Sequence, residues 1–247
     1  MIALFLLCVP APVGAQDEEQ TTLVYATYFE CDTSRQWRAD EIVDNLYVPI
    51  YDAAVKDGTI RSWGWMAHHT GGKWRRLLYY SAPSMDALLD SAGVVRSAVA
   101  EKNPDAAREF GEICGPHDDY IWRVGTGSRG TGVISTDRGT AGISVYMNCE
   151  MASEDRADAI VEDVMAPIYN RHVEDGSIVS WGWLHHLVGG KWRRAATMTA
   201  TDMKGLMAAR ASINAEVFEK HKDAMAEFSG ICGSHQDYLW NVVHETP

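Results

Sequence analysis

The chain is written twice. Slid against itself by about 118 residues, Val24–Trp122 superposes on Gly142–Trp240 without a gap, with roughly 42 of about 99 positions identical. The strongest block reads W-G-W-x-x-H-x-x-G-G-K-W-R-R, from Trp63 to Arg76 and again from Trp181 to Arg194. Each copy ends in C-G-x-H-x-D-Y-x-W, from Cys114 to Trp122 and from Cys232 to Trp240. A gapless duplication of this size restricts the chain to folds in which one unit serves twice, so the order of elements in one copy sets the architecture of both.

In each copy that order is legible. Leu23–Cys31 and Ile143–Cys149 alternate apolar and polar residues and are rich in β-branched and aromatic side chains, the pattern of a strand. In the second, Ile143, Val145, Met147 and Cys149 share one face, and Tyr146 lies on the other, as Tyr28 does in the first copy. A helix is expected from about Arg38 to Lys56, with Gly58 just past its end as a cap. Pro49 and Pro167 fall at the same place inside it and remove a backbone donor, so a kink or a division is expected there. Two strands, Ile60–His69 and Lys73–Ser81, flank Thr70-Gly71-Gly72, a hairpin signal because glycine admits the positive φ of tight turns. A second helical region begins at Ser84 or Asp86 and runs to Phe110, broken near Pro104, and Asp119–Val124 forms a last strand. The order is β-α-β-β-α-β, twice.

An apolar run, Ile2–Val9, followed by Val13-Gly14-Ala15 has the form of a secretory signal with cleavage before Gln16. It is shorter than the roughly 20 residues a membrane span needs. The domain plan is therefore a signal at 1–15, a first module at 21–124, a Gly/Ser/Thr-rich linker at 125–141 and a second module at 142–247, in a protein that is secreted or periplasmic. Loss of the signal removes Cys8 and leaves Cys31, Cys114, Cys149 and Cys232 in an oxidising compartment. Cys31 and Cys114 occupy the same positions in one copy as Cys149 and Cys232 in the other, which selects one bridge within each copy. Zinc is the weaker reading, because no Cys-x-x-Cys spacing occurs. A net charge of -12 argues against nucleic acid or an anionic membrane as partner. The basic groups Lys73, Arg75, Arg76 and Lys191, Arg193, Arg194 read as charged hairpin shoulders, with an anion site as the alternative.

A β-α-β-β-α-β unit is most simply a ferredoxin-like sandwich, with an antiparallel sheet in the order 4-1-3-2 and both helices on one face. There the end of the first strand adjoins the start of the fourth, which is where Cys31 and Cys114 fall. The other face, carrying Tyr28 and with Trp63 and Trp65 as candidates for the same side, would need a cover. With this order and duplication the chain resembles the dimeric α/β-barrel superfamily, in which two ferredoxin-like units pack sheet to sheet. The resemblance implies an α+β fold in which both units belong to one chain, as a monomeric pseudo-dimer or a homo-oligomer of such chains. The superfamily includes cofactor-free monooxygenases, haem-binding enzymes and members without known activity, so the resemblance admits haem but requires no cofactor.

Candidate ligand-binding residues are Tyr28, Tyr146, Trp63, Trp65, Trp181, Trp183, His68 and His186. Trp63 and Trp65 project from one side of their strand, opposite Gly64, Met66 and His68, and form either an aromatic wall or core bulk. His68 and His186 survive in register and suit a base, a haem ligand or cavity lining, or a structural hydrogen bond. The strand order gathers Glu30, His68, His69, Lys73, His117 and Asp119 at one rim, yet His68 and His117 would stand about 14 Å apart, too far to share a metal. No catalytic residue is assignable, and none of the common hydrolase, zinc-protease or nucleotide-binding fingerprints occurs. The reading favoured is a small apolar or aromatic ligand bound between the sheets. An oxygenase or haem enzyme and a non-catalytic scaffold are the alternatives.

Overall fold

A computed structural model describes residues 22–129 and 139–246, so the expected signal at 1–15 lies outside the described residues. The first half comprises β1 (Leu23–Phe29), α1 (Gln36–Ile42), α2 (Val48–Lys56), β2 (Ser62–Thr70), β3 (Arg76–Ala82), α3 (Met85–Lys102), α4 (Pro104–Ile113) and β4 (His117–Arg129). The second comprises β5 (Ala141–Asn148), α5 (Glu154–Ile160), α6 (Ala166–Glu174), β6 (Ser180–Val188), β7 (Arg194–Ala200), α7 (Met203–Lys220), α8 (Lys222–Ile231) and β8 (Ser234–Glu245).

Local chemistry accounts for the helix boundaries. Val43–Tyr47 and Val161–Met165 are π-helical turns that join α1 to α2 and α5 to α6. Pro49 and Pro167 sit in the first turn after them, where a missing N–H is tolerated, so the helix bulges instead of breaking. Ser84 accepts from the amide of Ala87 to start α3, and Asp202 accepts from Gly205 to start α7. The division between α3 and α4 recurs between α7 and α8, where Lys222 replaces Pro104, so proline is not what imposes it. In both halves the shorter helix turns back to deliver its cysteine, and Cys31–Cys114 and Cys149–Cys232 are disulfide-bonded as expected.

The eight strands close into one antiparallel barrel in the order β1-β3-β2-β8-β5-β7-β6-β4. The expected α/β barrel is closed, and what the sequence left open is how: the edges of the two sheets hydrogen-bond, β2 to β8 and β4 to β6. The extra length of β4 extends the second of these seams. It continues through 125–129, residues whose composition suggested linker, and pairs Gly127 with Gly182 and Arg129 with Ser180. Closure removes every open edge and its unpaired backbone groups.

Strand alternation divides the apolar residues into three cores. Leu23, Tyr25 and Phe29 of β1 pack under the helices of the first half, whereas Val24, Ala26 and Tyr28 point into the barrel. A matching helix-side core fills the second half, and the third core lies inside the barrel. An isolated half, cut within 130–138, would lose both seams and expose its share of the interior. It is expected to self-associate or aggregate in sedimentation analysis, and a monodisperse monomeric half would contradict this closure.

Candidate functional site

The two ends of the barrel interior differ. At the disulfide end, side chains from both halves make an aromatic plug. Tyr28 stacks on Trp74 at 4.3 Å between ring centres, Trp74 stacks on Tyr238 at 4.9 Å, and Tyr28 meets Tyr146 edge to face at 5.3 Å. Tyr120 stacks on Trp122 at 5.0 Å and Tyr238 on Trp240 at 5.2 Å. The glycine pairs of the hairpins close over this plug. Gly71 and Gly189 hold positive φ of 143° and 135°, as the turn requires. A Cβ at Gly72 would collide with Tyr238, and one at Gly190 with Tyr120, so each hairpin seats on a tyrosine of the other half.

Toward the opposite end the interior opens into a cavity of about 540 Å³. Its floor is Tyr28, Tyr146, Trp122 and Trp240, all nearly inaccessible to solvent. Val24, Met66, Leu77, Ile143, Leu184 and Met198 line the walls, and hydroxyl and charged groups ring the mouth. Burial pushes the Tyr28 and Tyr146 phenols well above the usual tyrosine range, so both stay neutral hydrogen-bonding groups at any physiological pH. Among the described residues, the buried indole Nε1 atoms of Trp122 and Trp240 have no hydrogen-bond acceptor.

Of the residues proposed from sequence, Tyr28, Tyr146 and Trp181 line this cavity. Trp63, Trp65 and Trp183 do not. They belong to the helix-side cores, where their indoles donate to Asp52 (2.8 Å), Asp40 (2.9 Å) and Asp158 (2.7 Å), and Trp181 donates to Asn170 (2.8 Å). An indole seated on the helix layer needs an acceptor there, and these positions supply one. His68 and His186 also fall outside the cavity lining. They face the interior at the seams, edge-on to Trp240 (6.4 Å) and Trp122 (6.0 Å), with burial pushing both imidazoles below the usual histidine range. The tryptophans that reach the cavity floor, Trp122 and Trp240, were absent from the sequence candidates. Their signal was present in the identical C-G-x-H-x-D-Y-x-W block, since alternation puts Tyr120 and Trp122 on one face.

The basic blocks are structural. Arg76, 5% exposed, forks onto Asp40 at 2.7 and 2.5 Å, and Arg194 forks onto Asp158 at 2.7 Å twice while also reaching Glu154 at 2.9 Å. Each arginine therefore ties strand to helix. Lys73 pairs with Glu30 and Asp118, and Lys191 lies over the Trp192 ring. His117 contacts the Gly115 carbonyl and His235 the Asp237 carboxylate, both at 2.7 Å, as local turn bonds. Among the described residues no group of three or more His, Cys, Asp or Glu could hold a metal, and no helix is long and apolar enough to cross a membrane.

Eight antiparallel strands from two like halves, closed at two seams and flanked by helices on the outside, decide the classification. The fold is of the dimeric α/β-barrel type. No protein-family model matches the chain, and no curated protein matches it. Solved structures do. An anthrone oxidase-like protein superposes with a TM-score of 0.58 at 15% identity, covering 92% of this chain and 93% of that one. A "putative monooxygenase" from Lactobacillus acidophilus gives 0.63 at 6% identity over 92% and 96%. A mutant chlorite dismutase from Candidatus Nitrospira defluvii in complex with cyanide gives 0.54 at 8% identity over 91% of each chain. At these identities the likeness extends to the α/β barrel itself.

Proposed function

We propose that this protein binds a small apolar or aromatic molecule inside its barrel. The observation that carries the reading is the cavity: about 540 Å³, aromatic-floored and stopped at one end, a size and lining suited to small-molecule sites. A pure scaffold has no need of such a space, because a filled barrel is the more stable one. Each half is read as a ferredoxin-like module, with strand orders β4-β1-β3-β2 and β8-β5-β7-β6 in support. Export under a signal at 1–15 is part of the same proposal, and two disulfides suit an oxidising compartment.

The lining does not fit haem. Haem iron is held by histidine, cysteine thiolate, methionine with histidine, or tyrosine. Here no imidazole lines the cavity, the described cysteines are all in disulfides, and the floor tyrosines are held protonated by burial. Met66 and Met198 are left as thioethers without a histidine opposite them. A second reading, a cofactor-free oxygenase, is favoured by the fold shared with an anthrone oxidase-like protein, and oxygen uptake with an activated phenol would reveal it.

Native mass spectrometry of protein purified from the exported fraction tests the proposal. A retained organic molecule is expected, and Val24→Trp, which fills the cavity from β1, should remove that mass while circular dichroism stays unchanged. Retention of the same molecule by folded Val24→Trp would place binding elsewhere.

A further inference from the structure

The duplication supplies an internal control on the cavity, because every lining residue of one half has a counterpart in the other. Several pairs are alike. Tyr28 and Tyr146, Trp122 and Trp240, and Ser62 and Ser180 make the floor and part of the mouth nearly two-fold symmetric. The wall pairs differ in size, with Gly142, Ser144 and Ala195 as the counterparts of Val24, Ala26 and Leu77, but charge breaks the symmetry at one place, the mouth. At the β2–β8 seam Glu245 pairs with Gly64, and Tyr79 of β3 donates to the Glu245 carboxylate. Arg61 stands at the same mouth, donating to Thr22 at 3.0 Å. The equivalent place at the β4–β6 seam has Gly127 paired with Gly182, and Thr197 and Val179 where Tyr79 and Arg61 stand. Glu245 is the one acid, and Arg61 the one base, in the cavity lining among the described residues.

The packing holds this polar group in place. A Cβ at Gly64 would fall 2.5 Å from the Tyr79 ring, so glycine there is what lets the phenol lie flat against β2 and reach Glu245. At Gly182 the corresponding Cβ would meet only the Thr197 hydroxyl at 3.1 Å. One seam has therefore been built up around a carboxylate, while the other keeps short side chains.

We infer that the cavity is polar at one end, and that Glu245, oriented by Tyr79, selects ligands that carry a hydroxyl donor at the edge of an aromatic body. This inference rests on the cavity being the ligand site. A carboxylate accepts through about four lone-pair positions, so it can take a ligand hydroxyl alongside Tyr79. An aromatic ether of the same size presents no donor to this carboxylate. The flat body lies over the Trp122 and Trp240 floor, and the donor fixes which of the two pseudo-equivalent orientations is adopted.

The test is calorimetric titration of the full chain with 2-naphthol and with 2-methoxynaphthalene. The naphthol is expected to bind about tenfold or more tightly, the value of a hydrogen bond to a charged group. Glu245→Leu should abolish that preference and leave the ether's affinity within about threefold of its original value. Equal affinity of the two probes for the native chain, or a preference that persists in Glu245→Leu, would overturn the selection by Glu245 and leave the cavity reading standing. Binding of neither probe would remove the aromatic-cavity reading, and this inference with it. Should Glu245→Leu not fold by circular dichroism, Tyr79→Phe takes its place. Loss of the anchoring phenol must shrink the preference, and an unchanged preference in folded Tyr79→Phe overturns the inference.

Discussion

Replacing Cys31 and Cys114 together with alanine is expected to lower unfolding free energy by about 4 kcal/mol, among the largest effects of any two-residue change in this chain. The bridge spans 83 residues, for which the chain-entropy model gives about 4.5 kcal/mol, against a usual loss of 2–5 kcal/mol for a native disulfide. The folded state should change little. Glu30 still donates to the Pro116 carbonyl and Asp32 to the Ile113 carbonyl, both at 2.8 Å, so the two segments stay joined without the sulfurs. Guanidinium unfolding of the variant beside the native protein measures the difference. A loss under about 1 kcal/mol would mean that the unfolded chain is already restrained by other means. The Cys149–Cys232 bridge, of the same span, should behave alike.

The second expectation concerns Arg194. Its guanidinium is buried against Asp158 and Glu154, and Arg194→Met should cost about 3–5 kcal/mol because it leaves Asp158 without its guanidinium in the helix–sheet interface, while Glu154 keeps Arg193. Removing both ends of the main pair, as Arg194→Met with Asp158→Leu, should recover a large part of that loss. Burial pushes the Asp158 carboxyl up, but the Arg194 and Trp183 hydrogen bonds outweigh it and hold the group below the usual carboxylate range. A lowered folded-state value means the stabilisation is present above the unfolded value near 3.9 and is lost as pH falls through the folded one. The native protein should therefore lose stability on acidification below about pH 4 more steeply than the double variant does. Chemical denaturation at a series of pH values reads both effects, and additive single and double losses would show that the pair is not coupled.

This pair shows how partial the sequence signal was. The K-W-R-R block was plainly marked by its identity in both copies, yet its partners Asp40 and Asp158 lie far upstream on the helices, beyond any local pattern. The same holds for W-G-W. Alternation states that Trp63 and Trp65 share a side of β2 opposite Met66 and His68, and the structure agrees. It does not say which side faces the helices, and Asp52 and Asp40 decide that by accepting from the indoles. His68 and His186 were on the inward side, as the pattern allowed, but Trp240 and Trp122 stand beside them at the seams and occupy the floor instead. Glu245 could not be noticed, because its counterpart is Gly127 and identity between copies ends before it.

By itself the sequence determined the element order, the two-fold repetition and the pairing of the cysteines. These follow from strand and helix periodicity and from equal positions in two copies, which are properties of short stretches or of simple register. The tertiary structure alone decided that the sheets join edge to edge at β2–β8 and β4–β6, that 125–129 is strand, and that one end of the interior is plugged while the other is open. Those outcomes depend on which side chains compete for the same interior volume and which edges find a partner. That competition is between residues as distant in the chain as Gly127 and Gly182, or Gly64 and Glu245, where no local pattern reaches.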